Sequence, residues 1–165
     1  MFRKMIASVP RSHMVQEALL LGLGGGGAIR EIHKRFPNAH VTAVEYDPVM
    51  LEIAKNFYLK PSDWVNTHVI VDDAFFAIKN FNKTFDLIFV DLFNGKSLSP
   101  LLETDEFVKH LSTLLAQNGY LAMNFFLQKK SVAPVFDRFF YRWKDLSYQT
   151  NKMAMYQHDE QKQKM

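Results

Sequence analysis

Short apolar runs alternate with amphipathic stretches along the whole of this 165-residue chain. Phe2, Met5, Ile6 and Val9 fall at i, i+3, i+4 and i+7, which predicts an opening helix ended by Pro10. The run Ala18-Leu-Leu-Leu21 predicts a fully buried strand, terminated by Gly22, Gly24, Gly25, Gly26 and Gly27. Ile29, Ile32 and Phe36 then predict a helix that stops before Pro37. His40 to Val44 reads as a second strand, followed by one apolar helical face built from Met50, Ile53, Ala54 and Phe57. The pattern repeats three more times. Thr67 to Val71, Phe85 to Val90 and Tyr120 to Phe125 read as strands. After them come helices marked by Ala74 to Phe81, by Phe107, Val108, Leu111 and Leu115, and by Val132, Val135, Phe136 and Phe139.

Strands that alternate with helices imply a parallel sheet covered by helices on both faces. The ending breaks this rhythm. Trp143 to Tyr148 and Lys152 to Tyr156 read as strands joined only by Gln149-Thr150-Asn151. That link is too short for a crossover helix, so the pair must form an antiparallel hairpin. The expected fold class is α/β: a doubly wound, mostly parallel seven-stranded sheet with a C-terminal antiparallel hairpin. Residues 1–157 are expected to form a single domain, and the polar residues 158–165 a disordered tail.

Composition removes several classes of function. Hydrophobic residues make up 48% of the chain and include 15 Phe, which excludes a disordered or fibrous protein. A chain of this length buries roughly 70% of its unfolded surface, enough for one substantial core. The absence of cysteine excludes a disulfide scaffold, thiol catalysis and Cys-based metal sites. Net charge is +3, but Arg3, Lys4, Arg11, Lys129, Lys130, Lys162 and Lys164 are scattered, so no nucleic-acid partner is expected. The apolar runs are too short to span a bilayer, and Phe2-Arg3-Lys4 opens no apolar signal segment, so the expectation is a soluble, cytoplasmic protein. His13, His33, His40, His68, His110 and His158 form no close pair, so no metal is expected, and His33 and His110 read as exposed imidazoles on helices. Ser8, Ser12, Ser97, Ser99 and Ser131 lack a nucleophile-elbow context. The stripe Phe136, Phe139, Phe140, Tyr141, Trp143 reads as core in part, with a remainder compatible with a homodimer.

The chemistry begins at the first strand's end. Gly22-Leu-Gly24-Gly-Gly-Gly27 satisfies G-x-G-x-x-G between a strand and a helix. Glycine lets ligand atoms approach the backbone without a Cβ in the way, and the helix's first N–H groups favour a polar or anionic partner. Glu45 follows Gly24 by 45 − 24 = 21 residues, at the end of the second strand. A carboxylate there accepts hydrogen bonds from both ribose hydroxyls of an adenine nucleoside. A tight turn and a solvated strand end would be the plainer reading, but strand, loop, helix, strand and acid all fall in register. Nicotinamide dinucleotide enzymes and S-adenosylmethionine enzymes share this much, and the terminal hairpin favours the second class.

The segments Leu19 to Ile32, Val44-Glu45-Tyr46-Asp47-Pro48, Val71-Asp72-Asp73-Ala74 and Phe85 to Asp91 resemble spermidine synthases and their spermidine-synthase-like relatives. Leu101 to Phe107 and Gln117 to Leu121 continue the likeness, which is close over about residues 15 to 126. The resemblance implies the fold of the class I S-adenosylmethionine-dependent methyltransferases. It implies that Gly22, Gly24, Gly25 and Gly27 cradle the methionine end of the nucleoside, that Glu45 holds the ribose and that Tyr46 flanks the adenine. It assigns Asp73 and Ala74 to the family's acid–small pair, whose acid reads the adenine amino group. Asp91 corresponds to the first acid of the family's D-x-x-D loop, which takes a proton from the attacking amine. Capping of helices or loops is the competing role for Asp73 and Asp91.

Three departures qualify the implied activity. Gly25 stands where typical members carry an acid facing the aminopropyl group. Asn94 replaces the loop's second acid and is followed by Lys96, a cation where a polyamine pocket would prefer anions. Only about 17 residues precede the first sheet strand, so the family's N-terminal β-rich portion is expected to be missing. Loss of acids also removes repulsion against a carboxylate, which favours S-adenosylmethionine over its decarboxylated form. The implied co-substrate is one of these two, and the leading expectation is aminopropyl transfer to a small amine, with Asn94 in the substrate site. Methyl transfer from the same pocket and a non-catalytic nucleoside-binding or interaction module are the alternatives.

Overall fold

A computed structural model of the chain describes residues 1–95, 97–126 and 129–159, with side chains described for all of these but 129–131. The first half runs α1 (Phe2–Ser8), β1 (Glu17–Leu21), α2 (Gly27–Arg35), β2 (His40–Glu45), α3 (Pro48–Ile53), β3 (Thr67–Val71) and α4 (Ala74–Lys79). The second runs β4 (Phe85–Val90), β5 (Phe93–Asn94), β6 (Ser97–Leu98), α5 (Asp105–Leu114), β7 (Leu115–Phe126), α6 (Lys129–Phe139), β8 (Tyr141–Tyr148) and β9 (Asn151–Gln157). Seven strands form one sheet in the order β3-β2-β1-β4-β7-β9-β8. The first five are parallel, and β9 inserts antiparallel between β7 and β8. The direction of winding reverses between β1 and β4, so the carboxyl ends of these two strands flank the crevice in which open sheets of this kind bind ligands.

Period-two alternation along the central strands divides the core between the faces. Leu19, Leu21, Ile88 and Val90 pack on one side with α4, α5 and α6. Ala18, Leu20, Leu87 and Phe89 pack on the other with α1 and α2. Both faces are therefore covered, which is why β1 and β4 read as unbroken apolar runs. Phe136 and Phe140 are buried beside Phe125 and Tyr156, Phe139 and Trp143 are partly buried against the core, and Tyr141 is exposed, so the aromatic stripe is core in part.

Four expectations need correction. Phe57 does not share a buried face with Ala54: α3 gives way to a single π-helical turn over Ala54–Tyr58, the angular step per residue changes, and Phe57 ends 78% exposed. The α4 helix ends at Lys79, with Asn80 as its C-cap, not at Phe81. His33 and His110 are half-buried, not exposed. The His33 Nε2 is buried with no hydrogen-bond partner among the described residues, and the His110 Nε2 lies 3.1 Å from the Ile78 carbonyl. Finally, β5 and β6 form a small antiparallel hairpin that the apolar pattern did not mark. Of the expected tail, His158 and Asp159 carry no regular structure, and residues 160–165 lie outside the described residues.

Candidate active site

The site is built at the carboxyl ends of β1, β2 and β4. Leu21 ends β1, and Gly22 turns the chain with φ +91°, donating its N–H to the Val44 carbonyl at 2.9 Å. A Cβ at this position would press into the Asp91 carbonyl oxygen, so glycine is required by the approach of β4's end. Gly26 has φ +71° as the N-cap of α2, and a Cβ there would collide with the Leu59 side chain. Gly24 faces open space, Gly25 lies under the Tyr58 ring, and Gly27 abuts Phe2. The glycine run thus serves two purposes. Gly22 and Gly26 close the protein on itself, and Gly24, with φ +50°, takes a left-handed turn beside open space.

Glu45 ends β2 beside this loop. Its Oε2 accepts the N–H groups of Leu23 at 2.9 Å and Gly24 at 3.3 Å, and its Oε1 accepts that of Asp47 at 3.0 Å. Both oxygens act as acceptors, which suits a carboxylate and not an amide. Tyr46, the next residue, is 75% exposed. At the end of β3, Asp72 takes the Asp73 N–H, and Asp73 caps α4 by accepting the Phe75 N–H at 2.7 Å through Oδ1. The capping role weighed from the sequence is therefore present in Asp73. Only one of its oxygens is used in that bond, and Ala74 is buried behind it.

Asp91 follows β4, its N–H donating to the Leu21 carbonyl at 2.9 Å. Burial pushes its carboxyl above the ordinary aspartate range, while a hydrogen bond from Asn124 Nδ2 at 2.7 Å opposes that rise. Beyond Asp91 the β5–β6 hairpin projects Phe93 and Asn94. A cleft of about 290 Å³ lies between this hairpin and the β2 and β3 ends, lined by Tyr46, Asp73, Ala74, Leu92, Asn94 and Ser99 among others. That volume is at the low end for small-molecule sites. Wider depressions, such as one of about 640 Å³ between Arg11, His13 and Arg35, lie at the amino ends of the strands, away from the crevice where this architecture binds ligands.

The structure therefore brings Tyr46, Asp73, Ala74 and Asn94 around one cleft. Gly22, Gly24, Gly25, Gly27, Glu45 and Asp91 are not among the residues lining it and stand at the adjoining strand ends. Lys96 lies outside the described residues. Sequence reasoning missed Asn124, whose signal was a lone polar residue in the buried run Tyr120 to Phe125. It also missed Tyr58, placed over Gly25 by the π-helical turn, and Leu92 and Ser99, which carried no pattern at all.

A strand order with one antiparallel insertion before the last edge, a glycine loop after β1 and an acid after β2 together define the Rossmann-like methyltransferase class of folds. Within that class, the chain belongs to the spermine/spermidine synthase domain family, whose model matches residues 1–138. It is 36% identical over 119 residues to a polyamine aminopropyltransferase of Vibrio vulnificus, covering 70% of this chain and 39% of that protein. It is 29% identical over 133 residues to an eEF1A lysine and N-terminal methyltransferase homolog of Drosophila melanogaster, covering 74% of this chain and 20% of that one. The chain thus spans well under half the length of these relatives. Among solved structures, human methyltransferase-like protein 13 in complex with SAH matches with a TM-score of 0.73 at 22% identity, covering 97% of this chain and 77% of that one. Spermidine synthase in complex with the transition-state analogue AdoDATO also matches at 0.73, with 19% identity over 96% of this chain and 61% of that one.

Proposed function

We propose that this chain is a transferase domain that binds a sulfonium nucleoside, S-adenosylmethionine or its decarboxylated form, and moves an aminopropyl group to a small amine. The observation that carries this reading is the placement of Asp73, Ala74 and Tyr46 opposite the hairpin that follows Asp91. Glu45 and the uncrowded glycine loop around Gly24 would hold the ribose and the chain attached to sulfur. The family membership and the aminopropyltransferase relatives support the same reading.

The chemistry balances on residues of this chain. The amine's lone pair attacks the carbon next to sulfur, the carbon–sulfur bond breaks, and its electron pair neutralises the sulfonium. The new ammonium gives its extra proton to Asp91, a carboxylate whose burial makes it a better base than a solvated one. Methyl transfer is the second reading. Gly25 and Asn94 leave fewer carboxylates for a polyamine than typical members carry, and the Drosophila relative is a methyltransferase homolog by name.

A thermal-shift panel with both sulfonium nucleosides, methylthioadenosine and NAD tests this proposal. A sulfonium nucleoside at 100 times its dissociation constant should add about 2.7 kcal/mol of stability, and NAD none. A larger shift with the decarboxylated form selects aminopropyl transfer, and a larger shift with S-adenosylmethionine selects methyl transfer. No shift with any of the four would contradict the proposal and leave a non-catalytic interaction module.

A further inference from the structure

We propose that Asn124 is a positioning residue that presents Asp91 for proton transfer with one chosen oxygen free, an inference that rests on the role given to Asp91 above. Asn124 is 3% exposed near the end of β7, among apolar neighbours. A buried amide must have both its ends matched. Here Asn124 Oδ1 accepts the Phe126 N–H at 3.1 Å, and Nδ2 donates to Asp91 Oδ1 at 2.7 Å. Rotating the amide by half a turn would set oxygen against oxygen and N–H against N–H, so these two partners fix its orientation.

The backbone is arranged to make this possible. The pairing of β7 with β9 shifts register between Asn124 and Phe126, and Phe126 adopts φ +49° although it carries a side chain. Such an irregularity at a strand end re-aims a side chain and is concentrated near functional sites. Among the described residues no other hydrogen bond to the Asp91 carboxylate is found, so Oδ1 is occupied and Oδ2 is the oxygen that takes the amine's proton. Glu45, at the end of β2, Asp47 after it, and Asp72 and Asp73 after β3 are further carboxylates at this edge. None of them contributes to the displacement of the Asp91 titration, which comes from burial opposed by the Asn124 bond. Asn124 therefore fixes the geometry of the base and counters part of the rise that burial imposes on it.

The test follows the carbon-13 carboxyl signal of Asp91 against pH in the wild-type chain, Asn124→Ala and Asn124→Asp, alongside nucleoside affinity and the pH profile of transfer. Asn124→Ala should move the Asp91 midpoint upward and move the acid limb of the rate profile with it. Transfer should fall about tenfold below that midpoint and recover at higher pH, the effect of losing one charge-assisted hydrogen bond. Asn124→Asp keeps the shape of the site and should make the two carboxyls titrate in coupled steps. Nucleoside affinity should stay within about twofold in both variants. An Asp91 midpoint unchanged in a folded variant would overturn the inference, as would a rate loss equal at every pH. A wild-type chain that binds no sulfonium nucleoside would instead contradict the proposed function, and the carboxyl titration would still decide whether Asn124 governs Asp91.

Discussion

Glu45 and Asp91 stand at the same edge of the sheet, one strand to either side of β1, yet the chain treats their carboxylates in opposite ways. Glu45 is held by three backbone N–H groups from two segments, with both oxygens engaged. Asp91 receives one side-chain hydrogen bond, and burial pushes it toward its protonated form. A carboxylate surrounded by fixed donors is a rigid acceptor, suited to holding a loop and a polar ligand. One with a free oxygen in a poorly solvated place suits the uptake of a proton. The two halves of the site thus differ less in residue type than in how many donors the backbone supplies.

That contrast can be broken at several points. The largest effect is expected for Asp91→Asn, which should lower transfer by about 10²–10³-fold while leaving nucleoside affinity unchanged, as steady-state rates and calorimetry would show. Gly22→Ala should damage both halves at once, because the residue bonds the strand that leads to Glu45 and abuts the Asp91 carbonyl. Denaturant unfolding should register a loss of about 3 kcal/mol. Glu45→Ala should cost about 2 kcal/mol by orphaning loop N–H groups, and should abolish measurable nucleoside binding in the same calorimeter.

The smallest effect sharpens the comparison. Burial raises the Asp91 carboxyl, so the folded chain holds that proton more tightly than the unfolded one. The native state therefore loses stability on this account as pH rises from about 4 through the folded midpoint, and Asp91→Asn removes the loss. The variant should melt higher than the wild type near pH 7, by about 3 °C, with the gap closing toward pH 4. A gap that stayed constant with pH would assign the effect to packing and not to charge.

The sheet was readable because its central strands are buried on both faces and stand out as runs such as Ala18 to Leu21 and Phe85 to Val90, with turn residues between them. The positions of Glu45 and Asp73 at strand ends were readable for the same reason, since they sit where those runs stop. What was hidden depends on contacts between distant segments. Gly22 is glycine because Asp91 arrives beside it 69 residues later, as 91 − 22 shows. Phe57 looked buried because a helical period was assumed where one π-helical turn intervenes. The β5–β6 hairpin has only two residues per strand, too few for any period to show. Asn124 reads as a defect in an apolar strand until its partner is known to be Asp91.

The most direct test of the account is calorimetric titration of the wild-type chain and Asp73→Ala with decarboxylated S-adenosylmethionine. The account expects saturable one-to-one binding to the wild type and affinity weakened about tenfold or more in the variant, which removes a charged acceptor facing the cleft. Equal affinity in the two proteins would contradict the placement of the nucleoside between Asp73 and the hairpin after Asp91, and absence of heat with either would contradict a nucleoside site altogether.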